Sequence, residues 1–219
     1  MFNFMRAPKR LFLAFECALL FVIYPIIIAL HPTKVNVHLS LWIIALYTGV
    51  ILHKTPGFSW AETWSGFSLS SRNLKMIAIR FALSTLGIIF LAKIIAPERL
   101  FSFPFQRPGF WLLVMVLYPF LSALPQELIF RSFFFRRYAP IFKEDWMMVT
   151  VSAALFGFIH VVFHNPISPL LSLLCGFFIA GSYLIHRSLK IAAIEHALYG
   201  DMVFTVGLGF YFLVGHIPV

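Results

Sequence analysis

Three runs carry the residues of this chain that could do hydrolytic or metal chemistry, and each lies in an apolar stretch. The first is Pro125-Gln126-Glu127-Leu128-Ile129-Phe130-Arg131. Glu127 and Arg131 stand at i,i+4, a spacing that brings side chains on one helix face to about 5–6 Å. The pair reads equally as an internal ion pair and as a carboxylate prepared for catalysis. The second run is Phe156-Gly157-Phe158-Ile159-His160-Val161-Val162-Phe163-His164-Asn165. His160 and His164 share a face at the spacing with which two histidines hold zinc in metallopeptidase helices, although no Glu follows His160 to complete that signature. A single histidine on an apolar helix is ordinarily a hydrogen-bonded core residue, whereas two on one face opposite a buried Glu read as a site. The third run is Glu195-His196-Ala197-Leu198-Tyr199-Gly200-Asp201, in which His196 and Tyr199 share a face and Gly200 leaves room beside them.

The rest of the chain identifies the solvent in which these groups must work. Of 219 residues, 61% are hydrophobic and 11% charged, and 27 are Phe. Soluble domains hold about 45–50% apolar and about 25% charged residues. Too little polar surface exists to cover a soluble enzyme of this length, and there is too much apolar material for a disordered chain. A polytopic membrane protein remains. Seventeen Lys and Arg against eight Asp and Glu give a formal charge of +9. No basic stripe alternates with exposed aromatics, so the excess reads as loop charge beside an anionic leaflet and not as a nucleic-acid surface. Cys17 and Cys175 sit in apolar runs and read as packing residues, not as a disulfide framework or metal knuckle.

The elements that must position the three runs are membrane spans. Apolar runs cover 11–30, 40–53, 76–96, 110–135, 146–164, 169–186, 190–200 and 202–217, predicting an all-α bundle of about eight transmembrane helices in one integral membrane domain, 1–219. With a cytoplasmic N-terminus, only Lys34, Lys93, Arg99 and Arg107 fall in outer loops; nearly all other cations fall inside, as the positive-inside rule requires. Both termini are then expected in the cytoplasm. Trp42, Trp111 and Trp146 each open a span, where interfacial indoles belong. Between the second and third spans, Ser59 and Glu62 have capping-box spacing, and Phe58, Trp60, Trp64 and Phe67 supply an apolar face, predicting a short helix on the inner leaflet. Glu16 has no evident partner, and Arg80 lies near enough to the inner interface to snorkel. Pro125 removes a backbone donor and frees the carbonyl four residues back, predicting a kink or restart within the fourth span.

In order and placement, these runs resemble the CAAX protease and bacteriocin-processing family of intramembrane glutamic proteases, the type II CAAX prenyl endopeptidase-like group. Glu-Glu-x3-Arg corresponds to Gln126 through Arg131, with Gln at its first position. Phe-x3-His corresponds to Phe156 through His160. His-x3-Asn corresponds to His196 with Gly200 in place of Asn. The resemblance covers roughly 110–210 as a core, with 1–109 as variable N-terminal spans and an interfacial helix. It implies peptide-bond hydrolysis by activated water without a metal, on a membrane-associated or lipidated peptide or protein, in a prokaryotic cell membrane and among membrane lipids. By that resemblance Glu127 is the base, Arg131 its holder, His160 a water ligand and His196 an oxyanion donor. Gln126, His164, Asn165, Tyr199 and Asp201 are supporting candidates, Tyr199 and His164 foremost as replacements for the asparagine. The family's water-activating carboxylate is usually the first of the pair, here Gln126, about 100° around a regular helix from Glu127. Either the break at Pro125 turns Glu127 inward, or the chain is an inactive relative acting as a membrane scaffold or binding protein. No cofactor is expected; zinc on His160 and His164 is the alternative. Counted at about 1.5 Å per residue from the inner span ends, Glu127 lies ~13 Å, His160 ~21 Å and His196 ~9 Å deep, a wider spread than one site permits without tilt.

Overall fold

The computed structural model describes residues 7–32, 35–65 and 71–213, and within them regular structure is helical throughout, with no strand. The long elements are α1 (Lys9–Leu30), α2 (Val37–His53), α4 (Ser71–Ile95), α6 (Pro108–Arg137), α7 (Asp145–Phe163, its last turn a 3-10 turn), α8 (Ile167–His186) and α9 (Leu189–Thr205). Two short helices, α3 (Trp60–Ser65) and α5 (Ser102–Gln106), lie in the connections. Five of the described helices are long and apolar enough to cross a membrane, the stretches Lys9–Leu30, Leu74–Ile95, Pro108–Arg137, Asp145–Phe163 and Ile167–His186; α2 is a shorter apolar helix.

The expected break between the seventh and eighth spans is not present. Asp201 does not interrupt the helix, and α9 runs unbroken from Leu189 to Thr205. It stops at Gly207, whose φ of 92° lies in the left-handed region that ends helices, and a 3-10 turn, Leu208–Phe212, follows. The eighth expected run, 202–217, thus falls on the last turn of α9, this 3-10 turn and residues 214–217, which are outside the described part.

Outer sides of the helices carry Leu11, Phe15, Leu86, Leu112 and Phe120, all exposed. Such a surface suits hydrocarbon and not water. Inside, many of the Phe residues pack edge to face: the Phe21 ring lies 5.0 Å from Phe130, 5.6 Å from Phe134 and 6.1 Å from Tyr138, tying α1 to α6. α7 and α8 approach closely because Gly157 and Gly176 face each other's helices; a Cβ on Gly157 would stand 2.8 Å from Leu173 Cβ and 2.9 Å from the Pro169 carbonyl.

Two charges without evident partners in the sequence have them here. Glu16 takes a two-pronged contact from Arg137, with Nε 2.9 Å from Oε2 and Nη2 3.1 Å from Oε1, and accepts the Tyr47 hydroxyl at 3.1 Å. This joins α1, α2 and the end of α6. Arg80 pairs at 3.4 Å with Glu195, which is buried, and so ties α4 to α9. The capping pattern at Ser59 does start a helix: Ser59 Oγ accepts the Glu62 amide at 3.3 Å, and Phe58 packs edge-on against Trp60. Phe67 lies outside the described residues.

Candidate active site

Pro125 does what its chemistry requires without breaking α6. The helix continues to Arg137, but π-helical turns at Pro119–Ala123 and Leu128–Phe133 flank Leu124–Glu127. The Leu121 carbonyl, which Pro125 cannot serve, accepts the indole N–H of Trp42 at 3.1 Å. The wide turns set the rotation of the residues between them.

That rotation separates Gln126 from Glu127. A cavity of about 1320 Å³ opens between α4, α6, α8 and α9, and its wall includes Gln126, His160, His196, Tyr199 and Gly200 but not Glu127. Glu127 lies behind that wall and is 0% exposed. Its Oε1 lies 2.8 Å from His196 Nδ1 and its Oε2 3.0 Å from Arg131 Nε, an ion pair in contact but not aligned as a hydrogen bond. Arg131, equally buried, donates from Nη1 to Ser152 Oγ (2.8 Å) and the Phe130 carbonyl (3.3 Å), and from Nη2 to the Gly176 carbonyl (3.5 Å). The i,i+4 pair is therefore real and anchored on both α7 and α8, and one of its oxygens holds a cavity histidine.

The two histidines are oriented alike. His160 Nδ1 lies 2.7 Å from the Phe156 carbonyl, which can only accept, so this nitrogen carries the proton and Nε2 keeps its lone pair. His196 Nδ1 donates to the Glu127 carboxylate, leaving Nε2 for the cavity that the ring lines. Phe156 stands between them: its ring is 5.0 Å from His160, 5.4 Å from His196 and 5.2 Å from the Arg131 guanidinium. The Phe of the Phe-x3-His pattern thus packs against three site side chains at once. Gln126 donates from Nε2 to Ser122 Oγ at 2.8 Å, while its Oε1, buried on the cavity wall, has no hydrogen-bond partner among the described residues. Three polar atoms with no hydrogen-bond partner among the described residues, two imidazole Nε2 atoms and an amide oxygen, thus belong to residues of one cavity wall. Such a set can hold a water, take its proton and stabilise a developing oxyanion.

The supporting candidates divide. Tyr199 lines the cavity. His164 does not: α7 tightens into a 3-10 turn at Ile159–Phe163, and His164 ends it exposed, in left-handed conformation at φ 56°. The face that regular helix spacing gave His160 and His164 is lost. Asn165 is a structural cap, accepting the Ile167 and Ser168 amides at 3.0 and 2.9 Å and donating to the Phe163 and Tyr211 carbonyls. Asp201 is off the cavity wall, within α9. Among the described residues no three His, Cys, Asp or Glu side chains converge as a metal ion requires. Sequence spacing missed Tyr118, whose ring lines the cavity 5.9 Å from His196 and overlies Gly200, and Arg80, also on the wall.

No curated protein and no solved structure matches the chain. The segment 108–200 matches the family model described as type II CAAX prenyl endopeptidase Rce1-like, a protease family, and that segment holds Gln126, Glu127, Arg131, His160 and His196. With its membrane-length helices and this match, the chain is a membrane protein whose residues 108–200 match the type II CAAX prenyl endopeptidase Rce1-like family.

Proposed function

We propose that the protein is an intramembrane endopeptidase that hydrolyses a peptide bond near the membrane through histidine-activated water, without a metal. The observation that carries this reading is the common orientation of His160 and His196, each with Nδ1 committed and Nε2 left to one cavity wall. His160 Nε2 takes the proton of the attacking water, and Gln126 Oε1 accepts its other hydrogen. His196, held through Nδ1 by the Glu127 carboxylate, is the donor to the oxyanion from Nε2. Glu127 then acts through His196, as the carboxylate of a catalytic triad acts through its histidine. The base role expected for Glu127 passes to His160, because both Glu127 oxygens are occupied and neither lines the cavity. Arg131 keeps the buried carboxylate in place.

The family's description as a prenyl endopeptidase points to a lipidated peptide as substrate, and the apolar cavity walls suit a lipid chain. In proteoliposomes, the protein is expected to cleave a farnesylated, fluorogenic peptide ending in a CAAX sequence, with His160→Ala and His196→Ala at background. Cleavage by either variant at the wild-type rate overturns the assignment.

Gln126 favours a second reading, in which the chain binds a membrane peptide without cutting it, because a neutral amide stands on the wall where the family motif has a carboxylate. A wild type that binds the peptide but leaves it intact, joined to a Gln126→Glu variant that cleaves it, supports this alternative.

A further inference from the structure

Gly200 stands where the third motif calls for asparagine, so the oxyanion donor expected one helical turn after His196 is missing from α9. The space it would use is not empty. A Cβ on Gly200 would overlap the ring and hydroxyl of Tyr118, which reaches in from α6 just before the Pro119–Ala123 π turn. The phenol therefore lies over the part of α9 from which the side chain at 200 would project. Its ring is set edge-on at 5.9 Å from His196 and 5.3 Å from Phe204, and it faces the same cavity as Gln126 and His160.

Packing alone does not account for a tyrosine here. A phenylalanine ring would fill the gap above Gly200 equally well, and this chain uses Phe at 27 positions. The hydroxyl makes no hydrogen bond to any described residue, so on a mostly apolar wall it is left for a ligand or water. A phenol O–H is a donor. We propose that Tyr118 supplies, from α6, the second oxyanion hydrogen bond that the third motif ordinarily supplies from its asparagine, and that Gly200 is the small residue that admits it.

This inference rests on the hydrolase reading above. In the step concerned, the water oxygen bonds to the substrate carbonyl carbon as one water proton passes to His160 Nε2. The carbonyl π pair moves onto oxygen, and that oxygen accepts from His196 Nε2–H and Tyr118 O–H. Collapse re-forms the carbonyl and breaks the C–N bond, and the proton on His160 leaves with the amine.

The test compares wild type, His196→Ala, Tyr118→Phe, Tyr118→Ala, and the double variant Tyr118→Ala/Gly200→Asn in proteoliposomes, with the farnesylated CAAX peptide as probe and thermal unfolding as a fold control. Tyr118→Phe keeps the ring and its packing; it is expected to lower kcat by about 10²-fold, the loss typical of one oxyanion donor, while KM and Tm hold. Tyr118→Ala is expected to be at least as slow, and adding Gly200→Asn to it to restore part of kcat, because the asparagine then has both space and the motif position. Tyr118→Phe at wild-type kcat, with His196→Ala inactive, overturns the Tyr118 assignment and leaves the hydrolase reading standing. A loss in Tyr118→Phe that appears in KM alone also overturns it. Wild type and His196→Ala cleaving alike, or a wild type without cleavage, overturns the hydrolase reading and this proposal with it.

Discussion

At the scale of single residues, the geometry turns one motif into two walls. Glu127 and Arg131 form a fully buried pair, and Gln126 beside them faces the cavity. Removing one partner of such a pair leaves an uncompensated buried charge, at a cost of about 3–5 kcal/mol, whereas replacing both with apolar residues of similar volume is close to neutral. Glu127→Leu is accordingly expected to lower the thermal unfolding temperature sharply and to remove activity. Glu127→Leu/Arg131→Met is expected to regain most of the stability and none of the activity, because His196 still lacks its carboxylate. Equal instability in single and double variants would contradict the pairing. A second residue-scale expectation concerns metal: with His164 turned away and each histidine's Nδ1 occupied, a strong zinc chelator should leave the cleavage rate unchanged, and a lost rate restored by added zinc would count against the account.

Spacing made part of this site legible. The Glu127–Arg131 contact followed from i,i+4 placement, and the motif resemblance put His160 and His196 at one centre although depth counting set them ~12 Å apart along the membrane normal by the rise per residue. What spacing could not supply was rotation. Gln126 and Glu127 are adjacent, and which of them faces the cavity depends on π turns that no hydrophobic period announces. The pairs Arg80–Glu195 and Glu16–Arg137 join residues far apart in the chain, so nothing local marks them. Tyr118 was hidden in the same way, as one aromatic among many in an apolar run.

At the scale of elements, the helices hold the site through exchanged backbone partners and close contacts. Pro125 frees the Leu121 carbonyl and Trp42 of α2 satisfies it. In hydrocarbon an unserved carbonyl is costly, so Trp42→Phe is expected to lose about 1 kcal/mol, seen as a fall of about 2–4 °C in Tm for a domain of this size; an unchanged Tm would show that the bond contributes nothing. The α7–α8 contact is less forgiving. Gly157→Leu places a side chain against Leu173 and the Pro169 carbonyl. Overpacking of this kind costs about 1–3 kcal/mol, and because Gly176 on α8 also accepts from Arg131, the displacement should reach the ion pair. The helical class and most spans were readable from hydropathy, since runs near twenty residues are unambiguous. The end of the chain was not: a charged Asp201 in a short apolar run imitates a loop, while the structure carries it within one helix.

At the scale of the whole molecule, the continuation of the seventh expected span through Asp201 to Thr205 bears on the expected topology. With α2 and α9 counted among the crossings, the loops keep the sides that their cations assign, but the turn after α9 falls on the side opposite Lys9. Single cysteines test this against a membrane-impermeant thiol reagent: Lys143→Cys should react only from the cytoplasmic side, and Glu98→Cys only from outside. The reverse pattern would invert the orientation. The basic excess of the composition then has a plain use, in fixing which side the cavity opens toward.

The central claim is that His160 and His196 work together on a water in one cavity, with Glu127 acting only through His196. The most direct measurement is the cleavage rate of the farnesylated CAAX peptide by purified protein in proteoliposomes, for wild type, His160→Ala, His196→Ala and Glu127→Gln. The account predicts background rates for both alanine variants and a large but incomplete loss for Glu127→Gln, whose amide can still hold the His196 ring. Wild-type cleavage in either histidine variant would contradict it.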